Sequence, residues 1–128
     1  MKRIILLAFL CTTTLVMAQR INHVQEAIAN YDYEAALTLI AKEKPTIPLL
    51  LQKGKAQRGL GMNTEALSTY QEIITNDTAN TRAYIEAAEC CRSLAKYQQA
   101  LKYYEQALDL NPENKYVRIQ YIGLLLSL

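Results

Sequence analysis

Few residues of this 128-residue chain have the types and spacing that catalysis needs. His23 is the only histidine, and Cys90 and Cys91 are adjacent, so on a helix they would point about 100° apart and not suit a disulfide. Glu86 and Glu89 form a carboxylate pair at a spacing that is common on solvated helices. The chain contains no glycine-rich phosphate loop, HExxH, GxSxG or CxxC motif. The sequence therefore predicts a protein that is not an enzyme and that uses no metal and no cofactor.

Composition narrows the class of protein further. Fourteen Lys and Arg residues stand against 12 Asp and Glu residues, and a net charge of +2 is too small to indicate a nucleic-acid-binding protein. Hydrophobic residues make up 51% of the chain and charged residues 20%, which excludes a disordered polyelectrolyte. These counts predict a small folded module with a binding or structural role.

Residues 1–18 have the pattern of an export signal. Lys2 and Arg3 precede the largely apolar run Ile4–Val16, and short side chains before Gln19 suit a cut between Ala18 and Gln19. The alternative is a retained anchor, but the run from Ile4 to Val16 is shorter than the ~20 residues that span a membrane. We expect a periplasmic or secreted protein of bacterial type, with no stable membrane span after cleavage.

The rest of the chain repeats, with equivalent residues at an offset of 34. Alanines, tyrosines and asparagines recur at this offset: Ala66 and Ala100, Tyr70 and Tyr104, Asn80 and Asn114. Within each unit, apolar residues spaced by three and four predict two amphipathic helices. Because a pair with one apolar stripe per helix cannot bury its stripes alone, the units are expected to stack on one another.

Residues 81–114 resemble the tetratricopeptide repeat (TPR). The residues that carry the resemblance are Tyr84, Ala88, Ala100, Tyr104, Ala107 and Pro112. The preceding unit, 47–80, is a weaker match that keeps Gly54, Ala66 and Tyr70. The resemblance implies an all-α, right-handed solenoid of antiparallel helix pairs, and a generic helical hairpin is the alternative.

The predicted organisation has five segments: the signal peptide 1–18, a degenerate helix pair 19–46, repeats 47–80 and 81–114, and 115–128 as the first helix of an incomplete repeat. Thr46 is the predicted N-cap of the helix that follows it. The last segment is unusually apolar for a terminal helix. Three explanations of this composition are open. The segment belongs to a longer repeat protein, or it buries its free face in a dimer or partner, or it folds over the last helix pair with apolar surface exposed.

The resemblance also implies a function, because the first helices of such repeats line a groove that binds protein or peptide partners. The groove positions carried over to this sequence are Gln52, Lys55, Arg58, Arg82, Ile85, Glu86, Glu89 and Arg92. The same positions are also compatible with ordinary solvated helix surface. We therefore predict a non-catalytic interaction or scaffold module of the bacterial cell envelope, able to self-associate through its C-terminal helix. The alternative is the N-terminal part of a larger TPR-containing envelope enzyme or transport assembly.

Overall fold

The chain folds into seven helices and no strands, as a computed structural model of residues 1–128 describes it. The helices are α1 (Lys2–Ala29), α2 (Tyr33–Ile40), α3 (Ile47–Gly59), α4 (Asn63–Asn76), α5 (Thr81–Ser93), α6 (Tyr97–Leu110) and α7 (Lys115–Ser127). The prediction of an all-α fold is confirmed.

Side-chain caps begin four of these helices. Asn80 and Asn114, which occupy the same position in successive repeats, each accept a hydrogen bond from the backbone N–H of the third residue after them, at 3.1 Å. Thr46 caps α3 in the same way, as predicted, and Asp32 caps α2. Each cap satisfies an N–H that has no partner within its helix, so the helix starts are set by local sequence.

Consecutive helices pack as pairs joined by short turns. Three of these turns place a residue in the left-handed region: Tyr31 has a φ of 60° after α1, Gly61 has a φ of 75° after α3, and Ala95 has a φ of 57° after α5. Gly61 and Ala95 are equivalent in the repeat, so both repeats use the same turn. Glycine adopts this conformation without steric cost, whereas alanine is strained in it.

The main core runs through α3 to α7 and contains 17 buried residues. Tyr70 and Tyr104 occupy the same position in successive repeats and are fully buried. The ring of Tyr70 lies against Gly54, where a Cβ atom would come within 2.5 Å of the tyrosine Cζ. Gly54 therefore has to lack a side chain for α3 and α4 to approach this closely.

A second, smaller core of six residues joins the C-terminal part of α1 to α2 and to α3. Its helix α2 has eight residues, whereas α4 and α6 have 14 each. A cavity of about 450 Å³ lies beside α2, and its apolar lining includes Leu37, Ile40, Leu49 and Leu50. The short α2 thus leaves an open cleft between the first helix pair and the repeat that follows it.

The N-terminal part of α1 projects from this core, and residues 1–20 are all exposed. The helix continues without a break through the predicted junction between Ala18 and Gln19. By length and composition alone, α1 is the one helix that could cross a membrane, a criterion that a signal sequence also meets. The export signal and its cleavage stay predictions.

Candidate functional site

The eight predicted groove residues lie on two neighbouring helices. Three are on α3 and five are on α5: Gln52, Lys55 and Arg58, then Arg82, Ile85, Glu86, Glu89 and Arg92. Side chains connect α3 to α5 and α5 to α7. The hydrogen bond from Gln71 to Tyr103, at 3.0 Å, connects α4 to α6. The first helices of the repeats therefore form one layer and the second helices another, and the predicted groove residues belong to the first layer.

Arg58 of α3 and Glu86 of α5 form an ion pair between successive repeats. Their side chains are only 33% and 22% exposed, so the pair is partly shielded from water. Burial acts to lower the pKa of Arg58, but the charge of Glu86 and the other groups around it outweigh burial, and the pKa is raised above its usual value. Each of these charges is thus neutralised within the chain.

The same connection recurs one repeat later. Arg92 occupies the position of Arg58 in the next repeat, and its guanidinium donates a hydrogen bond to the Gln120 side-chain oxygen at 2.6 Å. Gln120 in turn occupies the position of Glu86. An arginine therefore reaches the residue 28 positions later in both cases, and this repeated link holds α3, α5 and α7 in a common register.

Glu89 has three side-chain partners next to the hydrogen bond between Arg92 and Gln120. The hydroxyl groups of Tyr104 and Tyr116 donate to its carboxylate at 2.6 and 3.0 Å, and Arg92 approaches it at 3.5 Å. Burial, and then the hydrogen bond to Glu89, raise the pKa of Tyr104 above its ordinary value. The carboxylate thus joins three helices, α5, α6 and α7, at one point.

The other four predicted groove residues make no side-chain hydrogen bond or ion pair. Lys55 and Arg82 are exposed, and Gln52 and Ile85 are partly buried. We call these four residues the free groove set. The structure therefore divides the predicted site into a paired half, which links the repeats, and a free half, which has two exposed cationic side chains, one amide and one apolar side chain.

Sequence reasoning did not foresee the roles of Tyr104 and Tyr116 as donors to Glu89. It named Arg58 and Glu86 only as two separate groove positions, whereas they form an ion pair between repeats. A signal for the pairing was present in the sequence, because arginine recurs at an offset of 34 and a polar residue follows each arginine by 28 positions.

The two cysteine thiols of α5 are buried, whereas the histidine of α1 is exposed. Burial raises the pKa of the Cys90 thiol to about 12, which keeps it protonated and a poor nucleophile at neutral pH. His23 is exposed on α1, and the Glu26 carboxylate is the one within 4 Å of its ring, at 3.9 Å. No three His, Cys, Asp or Glu side chains come together as metal ligands.

Comparison with known proteins agrees with this geometry. Residues 81–114 match the tetratricopeptide repeat family. The chain is 30% identical over 89 residues to human tetratricopeptide repeat protein 6, a match that covers 70% of this chain and 16% of the length of that protein. The chain therefore spans about a sixth of this relative.

Solved structures share the fold of most of this chain. The first TPR of Spaghetti (RPAP3), bound to an HSP90 peptide, has a TM-score of 0.80 at 19% identity, covering 86% of this chain and 90% of that one. The Yersinia enterocolitica type III secretion chaperone SycD, in complex with a peptide of the translocator YopD, has a TM-score of 0.81 at 16% identity, covering 88% and 94%. The chain thus carries a tetratricopeptide repeat at residues 81–114, within a helical array that has the fold of TPR domains.

Proposed function

We propose that this protein is a non-catalytic interaction module that binds a protein or peptide segment along the first-helix layer of its repeats. The observation that carries the proposal is the division of the groove. Arg58 and Arg92 are occupied by links between repeats, while Lys55 and Arg82 remain exposed without a partner. The free charges of this surface are therefore positive, and Ile85 offers an apolar contact between the paired residues.

This distribution specifies the chemistry of the partner. A segment that carries a carboxylate for Lys55 or Arg82 and an apolar side chain for Ile85 would complement the surface. The two solved neighbours that were determined with bound peptides support a peptide-like occupant for this type of fold. Neither the Arg58 nor the Glu86 charge is available without breaking the pair that joins the repeats.

The test is selection from a phage-displayed library of short random peptides against the chain, followed by affinity measurement for the enriched peptides. We expect the enriched peptides to contain acidic residues next to apolar ones. Reversing charge in Lys55→Glu or Arg82→Glu should weaken binding about tenfold, the effect of roughly 1.4 kcal/mol at an interface charge.

Lys102→Glu is the matched control, because Lys102 is an exposed lysine on α6, in the other layer. Binding by this variant should equal that of the unmodified chain. Two results would rule out the free groove set as the binding surface. Peptide affinity would fall equally in all three variants, or it would be unchanged by both Lys55→Glu and Arg82→Glu.

We also propose that the module works in the bacterial cell envelope after removal of residues 1–18. Support comes from the basic start of the chain, from the apolar run that follows and from the exposure of this entire segment, which contributes nothing to either core. Intact-mass measurement of the chain recovered from a bacterial periplasmic extract should give a polypeptide that begins at Gln19. A chain that keeps Met1 and sediments with membranes would instead make α1 an anchor.

The length of the human relative favours a second candidate, because the matched segment is 16% of that protein. In this candidate the repeats are one part of a larger envelope enzyme or transport assembly, and the groove holds another subunit of it. The DNA sequence beyond codon 128 distinguishes the two, since a reading frame that resumes the same repeat supports the larger assembly.

A further inference from the structure

A cleft lies between α2 and α4, the second helices of the first two helix pairs, with α3 as its floor. We call it the α2 cleft. Its volume of about 450 Å³ is within the range of small-molecule sites, about 300–1,000 Å³. The apolar part of its lining connects the two cores, because Ile40 and Leu49 belong to the smaller core and Leu50 belongs to the main core.

One side chain in this cleft is a buried amide with a free donor. Gln57 is only 7% exposed, and its Oε1 accepts a hydrogen bond from the Thr69 hydroxyl at 2.7 Å. Its Nε2 makes no hydrogen bond within the chain. Because no enclosed side-chain nitrogen or oxygen of the chain lacks a partner, Nε2 must reach accessible space, and the α2 cleft is the cavity that Gln57 lines. The amide therefore presents N–H donors to the cleft from a side chain that is otherwise buried.

The repeat register shows that polar groups at this place are not needed for packing. Lys53 and Gln57 occupy the positions of Ala87 and Cys91 in the next repeat, and both of those residues are fully buried in the main core. An amide or an ammonium group at such a position costs free energy unless it has a polar partner. A ligand with an acceptor group would supply the partner that the chain itself does not provide.

The charges around the cleft favour a ligand with one negative charge. Lys53 is partly buried and Lys44 is exposed, and neither belongs to an ion pair. Of the two carboxylates that line the cleft, Glu43 is paired with Arg20 at 2.8 Å, whereas Glu72 is exposed on α4. A monoanion matches the single partly buried cation, and the free Glu72 carboxylate opposes a second negative charge.

We propose that the α2 cleft binds an alkyl carboxylate, a fatty acid, with its hydrocarbon chain on the apolar lining and its carboxylate on α3. Lys53 and Gln57 are four residues apart and so lie on the same face of α3, where the ammonium and the amide N–H can both donate to one carboxylate. The site is separate from the free groove set, because Lys55 lies about 200° around the helix from Lys53.

Calorimetric titration of the full chain with decanoate, below the concentration at which it forms micelles, tests the proposal. We expect saturable binding that weakens about tenfold or more in Lys53→Met, because the carboxylate loses a charge-assisted hydrogen bond. The affinity for decan-1-ol, which has the same chain length and no charge, should be lower and should not change in Lys53→Met. Lys102→Met is the matched control on the exposed surface of α6 and should bind decanoate like the unmodified chain.

Proton–nitrogen NMR spectra of the unmodified chain locate the ligand. The side-chain amide signals of Gln57, identified by their absence in Gln57→Leu, should shift as decanoate is added and stop shifting at saturation. The exposed apolar part of α1 also offers a surface to a hydrocarbon chain, but uptake there would not move the amide signals of Gln57 and would not depend on Lys53.

Three results would overturn the proposal. Decanoate affinity would be the same in Lys53→Met and in the unmodified chain, or the Gln57 amide signals would not move, or decanoate and decan-1-ol would bind equally well. A short peptide with a C-terminal leucine that moves the Gln57 signals, where decanoate does not, would instead assign the cleft to a peptide carboxylate.

Discussion

Replacing Gly54 with alanine tests how closely α3 and α4 must approach. The added Cβ would lie 2.5, 2.7 and 2.8 Å from the Cζ, Cε1 and Oη atoms of Tyr70, whereas ordinary contacts begin near 3.4 Å. Tyr70 is 1% exposed, so its ring has no space into which to move. The overlap must therefore be relieved by a shift of packed side chains or of the helix itself.

The size of the effect follows from two opposing terms. Overpacking of this kind costs about 1–3 kcal/mol, and alanine regains up to about 1 kcal/mol through its higher helix propensity. We expect Gly54→Ala to lower the free energy of unfolding by about 1–2 kcal/mol and the melting temperature by roughly 5–10 °C. Ala88, the equivalent residue of the next repeat, is fully buried, so the repeat register itself accepts a methyl group. The conflict comes from the placement of the Tyr70 ring.

Urea unfolding followed by circular dichroism measures the change, and Tyr70→Leu supplies the second arm of a double-mutant cycle. Gly54→Ala should cost less in the Tyr70→Leu background, since the ring atoms that the methyl group meets are gone. Gly123→Ala, in a helix but without neighbours, should leave stability unchanged or raise it by up to about 1 kcal/mol. An equal cost of Gly54→Ala in both backgrounds would refute the steric explanation.

Three further substitutions or conditions probe the link between repeats, the turns and the buried thiol. Glu86→Gln should lower the unfolding free energy by about 1–2 kcal/mol in urea titrations at pH 7, because the partly buried Arg58 loses its carboxylate, and the loss should shrink in an Arg58→Met background. Ala95→Gly should raise the unfolding free energy by about 1 kcal/mol, because it removes left-handed strain at a φ of 57°. Burial raises the pKa of Cys90 from 9.0 to about 12, so the folded state holds this proton more tightly than the unfolded state. Its stabilising contribution is complete below pH 9 and is lost as the pH rises towards 12, so the urea midpoint should fall over this window, and less steeply in Cys90→Ala.

Matched variants make each of these outcomes decisive. Glu113→Gln alters an exposed carboxylate with no partner, so it should change stability by less than about 0.5 kcal/mol. If Glu86→Gln changed the free energy of unfolding no more than Glu113→Gln does, the ion pair would contribute nothing to stability. Gly61→Ala is the mirror of Ala95→Gly and should destabilise, because it introduces a Cβ at a φ of 75°. A urea midpoint with the same pH dependence in Cys90→Ala and the unmodified chain would exclude the thiol as a source of alkaline loss.

Much of the fold was predictable because its determinants are local. Asn80 and Asn114 cap their helices through contacts only three residues long, and the apolar stripes of α5 and α6 follow the helical period. The recurrence of Tyr70 and Tyr104 in successive repeats identified residues that are fully buried. The groove residues were also assigned to helices that do form neighbouring elements of one layer.

The paired and free residues of the site were harder to predict than the helices. Whether a charged side chain has a partner depends on which groups lie within a few ångströms of it in the folded chain. Arg58 and Lys55 are equally basic in sequence, yet Arg58 meets Glu86 across the repeat boundary and Lys55 meets no carboxylate. Stacking of α3 on α5 brings together residues of two different helices, which the periodicity of a single helix cannot relate.

Composition and periodicity therefore predict a helical repeat behind an apolar N-terminal segment. Because Lys2 and Arg3 account for the net charge of +2, residues 19–128 are neutral, and they contain all nine tyrosines. The helices are predictable from sequence because caps, turns and amphipathic stripes act over three or four residues. Folding in three dimensions adds the division between paired and free charges, the convergence of Tyr104 and Tyr116 on Glu89, and the α2 cleft. These properties arise from contacts between helices, whose distances are set by how the helices stack rather than by any one helix.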